Sequence, residues 1–146
     1  MSIIFGIRGK SGEVVDARDL SEMGELTKRY SPDGLRINTQ GAVGMAFQAF
    51  HTHERSQIDD QPTVDCHRNM LVVDGRLDNY KELQQILALP GDSSDSAVIL
   101  AAFQRWGEHC FAKLVGDWSL ALWSDQDRTI YPCPRPCRHQ DALLQE

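Results

Sequence analysis

The run Val115–Trp123, V-G-D-W-S-L-A-L-W, constrains the fold more than any other segment of this chain. Apolar and aromatic residues alternate along it with small or polar ones, a period of two that suits a strand packed in a layer. At the opposite end, Ile3–Ile7 is a short apolar run containing Gly6, too brief for a helix, and also reads as a buried strand. Ala42–Phe50 and Met70–Val73 read as further strands, the second stopping at Asp74-Gly75, a pair expected to reverse the chain sharply. Thr129–Tyr131 begins another strand after the polar turn Ser124-Asp125-Gln126-Asp127.

Helical spacing appears between these runs. Asp19–Tyr30 carries Leu20, Met23 and Leu26 and is stopped by Pro32 and Gly34. Asn79-Tyr80-Lys81-Glu82 has the form of a capping box and opens a helix through Leu87, closed by Pro90 and Gly91. Asp92-Ser93-Ser94-Asp95 caps a helix through Trp106, with Val98, Ile99, Ala102, Phe103 and Trp106 on one face and Gly107 past its end. Strands at both ends with paired helices in the middle predict an α+β layered domain. Neither an internal repeat nor a linker appears before residue 131.

A length of 146 residues suits one domain burying roughly two-thirds of its unfolded surface. A net charge of −6 counts against nucleic acid or an anionic membrane as principal partner, because both need basic patches. No apolar run approaches the ~20 residues that span a bilayer, and no basic segment precedes an apolar one at the start, so the cytoplasm is the expected location. Cys66, Cys110, Cys133 and Cys137 form no C-x-x-C pair and read as reduced, unrelated thiols. His51, His53 and Cys66-His67 read as incidental residues of a polar loop, and no metal is expected. Trp106, Trp118 and Trp123 read as core aromatics.

Several short motifs recur in a familiar order. Met1-Ser2-Ile3-Ile4-Phe5-Gly6 resembles an M-C-G-I-F-G opening, Arg29-Tyr30-Ser31-Pro32-Asp33-Gly34 an R-G-P-D-G loop, and His53-Glu54-Arg55-Ser56 an H-E-R-L-S segment. Asp74-Gly75-Arg76-Leu77-Asp78-Asn79-Tyr80 resembles N-G-E-I-Y-N, Ser94-Asp95 an S-D pair, and Val115–Trp123 a G-x-F-A-F-A-L-W strand. Taken singly each motif is weak, but their shared order across residues 1 to 131 resembles the class II glutamine amidotransferase domain of asparagine-synthetase-like proteins. The wording D-G-R-L-D-N, R-W-G and G-D-W-S-L-A-L-W is most similar in style to the lasso-peptide cyclases. The resemblance implies a four-layer αββα sandwich of the N-terminal-nucleophile hydrolase type, cut short at its C-terminal strands.

It also implies a site, and the chain departs from it. Members of the family attack glutamine with an N-terminal cysteine exposed by methionine removal; that position is Ser2, an alcohol with far less anionic character than a thiol. Ile3 replaces a small glycine beside it. The oxyanion-hole positions are Asp74 and Gly75: Gly75 keeps a backbone donor, whereas Asp74 offers a carboxylate that repels developing negative charge, and loss of one donor costs roughly 10²–10³ in rate. Arg55 matches the residue that holds the glutamine carboxylate and Asp95 the one that receives its ammonium, while Arg76 stands where the family has a second, acidic acceptor. Arg76 is expected to pair with Asp74, Asp78 or Asp95 and fill the emptied pocket, or else to bind an anion. Glutamine is therefore not an expected partner.

The tail from Pro132 to Glu146 carries three prolines in five residues, which cannot continue a central strand. A one-base shift of reading frame restores L-A-R-D and a terminal aromatic pair at the family's position, so residues 132–146 read as a frameshifted extension of a domain ending at Tyr131. A natural disordered tail is the alternative. ATP and magnesium belong to a synthetase domain with an S-G-G-x-D-S loop, which this chain lacks, so no cofactor is expected here. Three functions stay open: a silent amidotransferase-like domain that docks a synthetase domain or a precursor peptide, a working glutamine hydrolase using Ser2, and a nonfunctional gene fragment.

Overall fold

A computed structural model describes residues 1–134. The strands are β1 (Ile3–Arg8), β2 (Leu35–Gln40), β3 (Val43–Gln48), β4 (Thr63–Val64), β5 (Met70–Leu77), β6 (Gly116–Ser124) and β7 (Thr129–Cys133). The α-helices are α1 (Ala17–Thr27), α2 (Glu54–Ile58), α3 (Tyr80–Ile86) and α4 (Asp95–Trp106). They form two antiparallel sheets, ordered β1-β3-β2 and β4-β5-β6-β7.

The period of two along the strands divides side chains between three apolar layers. Val43, Met45 and Phe47 of β3 meet Met70 and Val72 of β5 and Trp123 of β6 in the layer between the sheets. The opposite face of the first sheet packs Ala46, Phe5, Ile7, Leu35 and Ile37 against Leu20 of α1. The opposite face of the second packs Leu71, Val73, Leu120 and Leu122 against Leu83 of α3 and Val98, Ile99, Ala102 and Phe103 of α4. The order is helix, sheet, sheet, helices: the αββα sandwich.

Close approach of α1 to its sheet depends on Gly44. A Cβ there would lie 2.8 Å from a Leu20 methyl, 3.0 Å from Val15 and 3.1 Å from Thr39. Buried Gln48 fastens the same interface, donating to the Gly24 carbonyl at 3.2 Å.

Several expectations from the sequence need correction. Asp74-Gly75 is not a reversal: β5 runs straight through it to Leu77, and Gly75 pairs with Trp118. Gly75 has φ +121°, and a Cβ there would collide with the Asp117 carbonyl, so glycine marks a close strand crossing rather than a turn. Asn79 forms no side-chain cap on α3; its amide instead donates to Lys113 O at 2.9 Å while its oxygen accepts from Val115 N at 3.0 Å. Tyr131 does not end the last strand, because Pro132 pairs with Ala121; β7 is the outer strand of its sheet among the described residues, the position in a sheet where proline is tolerated. Residues 135–146 of the tail, Cys137 included, lie outside the described residues.

A buried polar chain joins the layers. Gln61 behaves as a strand partner for Val73, donating to its carbonyl at 2.9 Å and accepting from its amide at 2.6 Å. Gln61 also donates to Asp59 at 3.3 Å, and Asp59 accepts from the Ser96 hydroxyl and from Ser96 N in the first turn of α4. Burial pushes the Asp59 carboxyl above the ordinary range, against the lowering effect of those hydrogen bonds. Cys110 is buried, and burial raises its thiol to about 12, whereas Cys66 is exposed. No helix among the described residues is long and apolar enough to cross a membrane.

Two outcomes are expected in chemical denaturation. Gly44→Ala should lower stability by about 1–3 kcal/mol, since three packed side chains must move; an unchanged midpoint would remove Gly44 from the α1 interface. Asp59 binds its proton more tightly folded than unfolded, so its contribution is complete below the unfolded pKa, near 4, and is lost as pH rises through the raised folded value. The stability difference between wild type and Asp59→Asn should therefore shift against wild type as pH climbs from about 4; a pH-independent difference would show that Asp59 titrates normally.

Candidate functional site

One cleft of about 340 Å³ opens where the N-terminus, the segment after β3, α2, β5 and the start of α4 converge. Ser2, Arg55, Asp74, Gly75, Arg76 and Asp95 all line it, so the fold brings together the six positions that the family resemblance marks as nucleophile, oxyanion hole and clamp.

Ser2 is held from both sides. Its backbone nitrogen donates to Asp74 Oδ1 at 3.0 Å. Its hydroxyl accepts from Phe50 N at 3.0 Å and faces Phe50 O at 3.3 Å. These partners are a carboxylate on the nitrogen and a backbone pair on the oxygen; among the described residues no side-chain base is hydrogen-bonded to the hydroxyl. The Pro32 loop braces the same region, with Ser31 Oγ donating to Met1 O at 3.0 Å and Asp33 Oδ2 accepting from His51 N at 2.8 Å.

Asp95 ties three parts of the cleft together. As the first residue of α4, preceded by Ser94, whose hydroxyl accepts from Ala97 N, it places its carboxylate beside the helix N-terminus. Oδ1 accepts from Arg55 Nε at 3.2 Å and Oδ2 from Leu77 N at 3.0 Å, with Arg55 Nη2 at 3.4 Å. Arg55 Nη2 also donates to Leu77 O at 3.0 Å, and the guanidinium lies over the Tyr80 ring, 3.7 Å from its centroid. The Asp95 side chain is 7% exposed and that of Arg55 28%, so the pair is shielded from water. The two positions expected to grip opposite ends of an amino acid thus grip each other.

Arg76 makes one of the three pairings expected of it: it reaches Asp78 at 3.4 Å, with both side chains more than half exposed. Asp59 and Asp117 add carboxylates to the lining, so four aspartates face two arginines. An acidic cleft favours cations over the developing oxyanion of amide hydrolysis. Among the described residues no group of three His, Cys, Asp or Glu side chains is placed to hold a metal ion.

Sequence reasoning missed Asp59, Gln61 and Tyr80 as parts of this site. Tyr80 reads only as a helix opener, and Asp59-Asp60-Gln61-Pro62 reads as an ordinary polar loop; nothing local signals that the first is a stacking surface and the second a buried bridge. The short helix α2, which presents Arg55, was also not read as a helix.

Known proteins resemble this chain over most of its length. The sequence profile of the glutamine amidotransferase domain matches residues 1–132. A curated relative, asparagine synthetase [glutamine-hydrolyzing] 1 of Bacillus subtilis, is 22% identical over 121 residues, covering 80% of this chain and 19% of the relative. This chain therefore spans about a fifth of that protein's length. A solved structure of glutamine phosphoribosylpyrophosphate amidotransferase from B. subtilis, complexed with ADP and GMP, is similar at 20% identity and a TM-score of 0.45, covering 82% of this chain and 28% of that one. With the profile extending over all but the last fourteen residues, the chain belongs to the glutamine amidotransferase domain family.

Proposed function

We propose that this chain is the amidotransferase-like domain of an asparagine-synthetase-like, ATP-dependent amide-forming protein, and that its own glutaminase site is silent. The observation that carries this reading is the contact between Ser2 N and Asp74 Oδ1: a hydroxyl stands at the nucleophile position and a carboxylate at the position where an oxyanion donor is needed. Gly75 supplies one backbone donor at most, and a single donor facing a carboxylate does not stabilise a tetrahedral oxyanion. Arg76 adds a positive charge where the substrate ammonium would lie.

The remaining role is structural or that of a docking surface, for a synthetase domain or for a precursor peptide of the kind modified by lasso-peptide cyclases. ATP and magnesium would act in the synthetase domain, which the family resemblance locates in another part of the protein. A coding sequence that continues past Tyr131 in the shifted frame, through an S-G-G-x-D-S loop, would support this parentage. Arg55, Asp95 and Gly75 favour a second reading, a slow hydrolase working through Ser2, and the same assay decides between the two.

Purified protein should release no ammonia from glutamine above the uncatalysed background, and Ser2→Cys should be equally inactive, because Asp74 and Arg76 still oppose the oxyanion and the substrate ammonium. Ammonia release that disappears on Ser2→Ala would overturn the silent-site reading and establish the hydrolase.

A further inference from the structure

The first sheet ends at β1 among the described residues, whereas the second continues beneath that edge through β6 to β7. We propose that the open strand position beside β1 is a docking site for one extended segment of a separate polypeptide, which adds a strand antiparallel to β1 and fills the apolar groove below it. The proposal rests on the docking role assigned above and gives that role a place and a partner chemistry.

The backbone alternation of β1 fixes which groups a new strand would meet. Gly9 N donates to Ala42 O at 2.7 Å, in the same register that pairs β1 with β3, so Gly9 faces β3 and Ile7, Phe5 and Ile3 face it too. Ile4, Gly6 and Arg8 therefore turn their N–H and C=O groups outward. Ser2 follows the same alternation, its nitrogen pointing away from β3. Neither proline nor charge guards this edge from Ile3 to Ile7, the usual means of keeping other strands off.

The same three residues face the second sheet. Ile4 packs in the layer between the sheets, and Arg8 lies over Trp123, 5.6 Å from the ring centroid. Gly6 leaves the face bare between them, and a groove of about 190 Å³ opens there, lined by Ile4, Gly6, Met45, Ala121 and Ile130. In an antiparallel pair, a residue that exchanges hydrogen bonds with its opposite number shares its face. The incoming residues that bond to β1 are thus the ones whose side chains enter the groove.

This defines the partner. Opposite Ile4 and Gly6 its side chains are aliphatic, because the groove beneath offers no polar side chain. Opposite Arg8 it carries a carboxylate: Arg8 is exposed and has no ion pair among the described residues, whereas Arg128, which shares the Trp123 ring, is paired with Asp125. A second copy of the whole chain does not fit. Two-fold pairing of β1 with β1 would put both second sheets on the same side, and the copy's sheet would need the space that β6 and β7 take up. A single strand meets no such obstacle.

The test uses the 146-residue chain and the synthetic peptide acetyl-Thr-Asp-Thr-Val-Thr-Val-Thr-amide, read by NMR titration and amide hydrogen exchange. Saturable shifts and slowed exchange should appear at Ile4, Gly6 and Arg8 at millimolar peptide, while Phe5 and Ile7, already in the ladder to β3, keep the protection they had. Methylating the two Val nitrogens should abolish binding, and methylating the Thr nitrogen between them should not. Arg8→Glu should weaken binding about fivefold or more, and a peptide with Lys in place of Asp should recover it. No saturable binding, or equal loss with either methylated peptide, overturns the proposal. Protection of Ile4, Gly6 and Arg8 without peptide overturns it as well: if independent of protein concentration it assigns the position to residues 135–146, and if it grows with concentration, to a second copy. Ammonia release is scored separately: peptide binding by a working glutaminase would sink the silent-site reading alone, and a silent protein that binds no peptide would sink this inference alone.

Discussion

The carboxylate of Asp95 is the point on which the cleft depends. It is nearly buried, and a buried carboxylate is tolerable only when its oxygens are matched by donors. Leu77 N and the Arg55 guanidinium supply them, which ties the end of β5, the short helix α2 and the first turn of α4 into one fixed unit. The sheet-and-helix framework explains why these three come together: β5 is central to its sheet, and α4 lies across the outer face of that sheet. Removing one member of such a shielded pair leaves an uncompensated charge, at a cost of about 3–5 kcal/mol, whereas the exposed Arg76–Asp78 pair contributes little.

The apolar layers do the bulk of the stabilising, and the polar chain from Ser96 through Asp59 and Gln61 to Val73 fixes how the layers are registered. Val73 immediately precedes Asp74, and Ser96 immediately follows Asp95. The same buried bridge therefore sets the spacing between the two sides of the cleft. This spacing is part of the core and does not depend on which side chains stand at Ser2 and Asp74.

Much of the framework is legible in the sequence because it is periodic. Alternation in Val115–Trp123 and helical spacing around Val98, Ile99, Ala102 and Phe103 report directly which face is buried. The segment Leu35–Gln40 carries the same alternation through Leu35 and Ile37, and was missed because its polar positions outnumber its apolar ones; pairing with β3 through the Gly41-Ala42 turn completes it. Gly75 misleads in the opposite direction. Asp-Gly is a common turn pair, but here the glycine answers a tertiary constraint, the approach of the Asp117 carbonyl from β6, which no local pattern encodes. The site residues were legible only through resemblance to a family motif order, and their partners were not: that Arg55 closes on Asp95 and rests on Tyr80 is a property of the assembled layers.

The proposed silent-site reading holds that the cleft does not admit glutamine, with Arg55 and Asp95 satisfying each other instead. The most direct measurement is an NMR titration of the protein with glutamine, following the Arg55 Nε–H resonance and the amide of Leu77, both bonded to Asp95. A silent, self-paired clamp predicts no saturable shift of either signal at millimolar glutamine. Saturable, coupled shifts of both signals that vanish in Asp95→Asn would show that the clamp opens for substrate, and would contradict it.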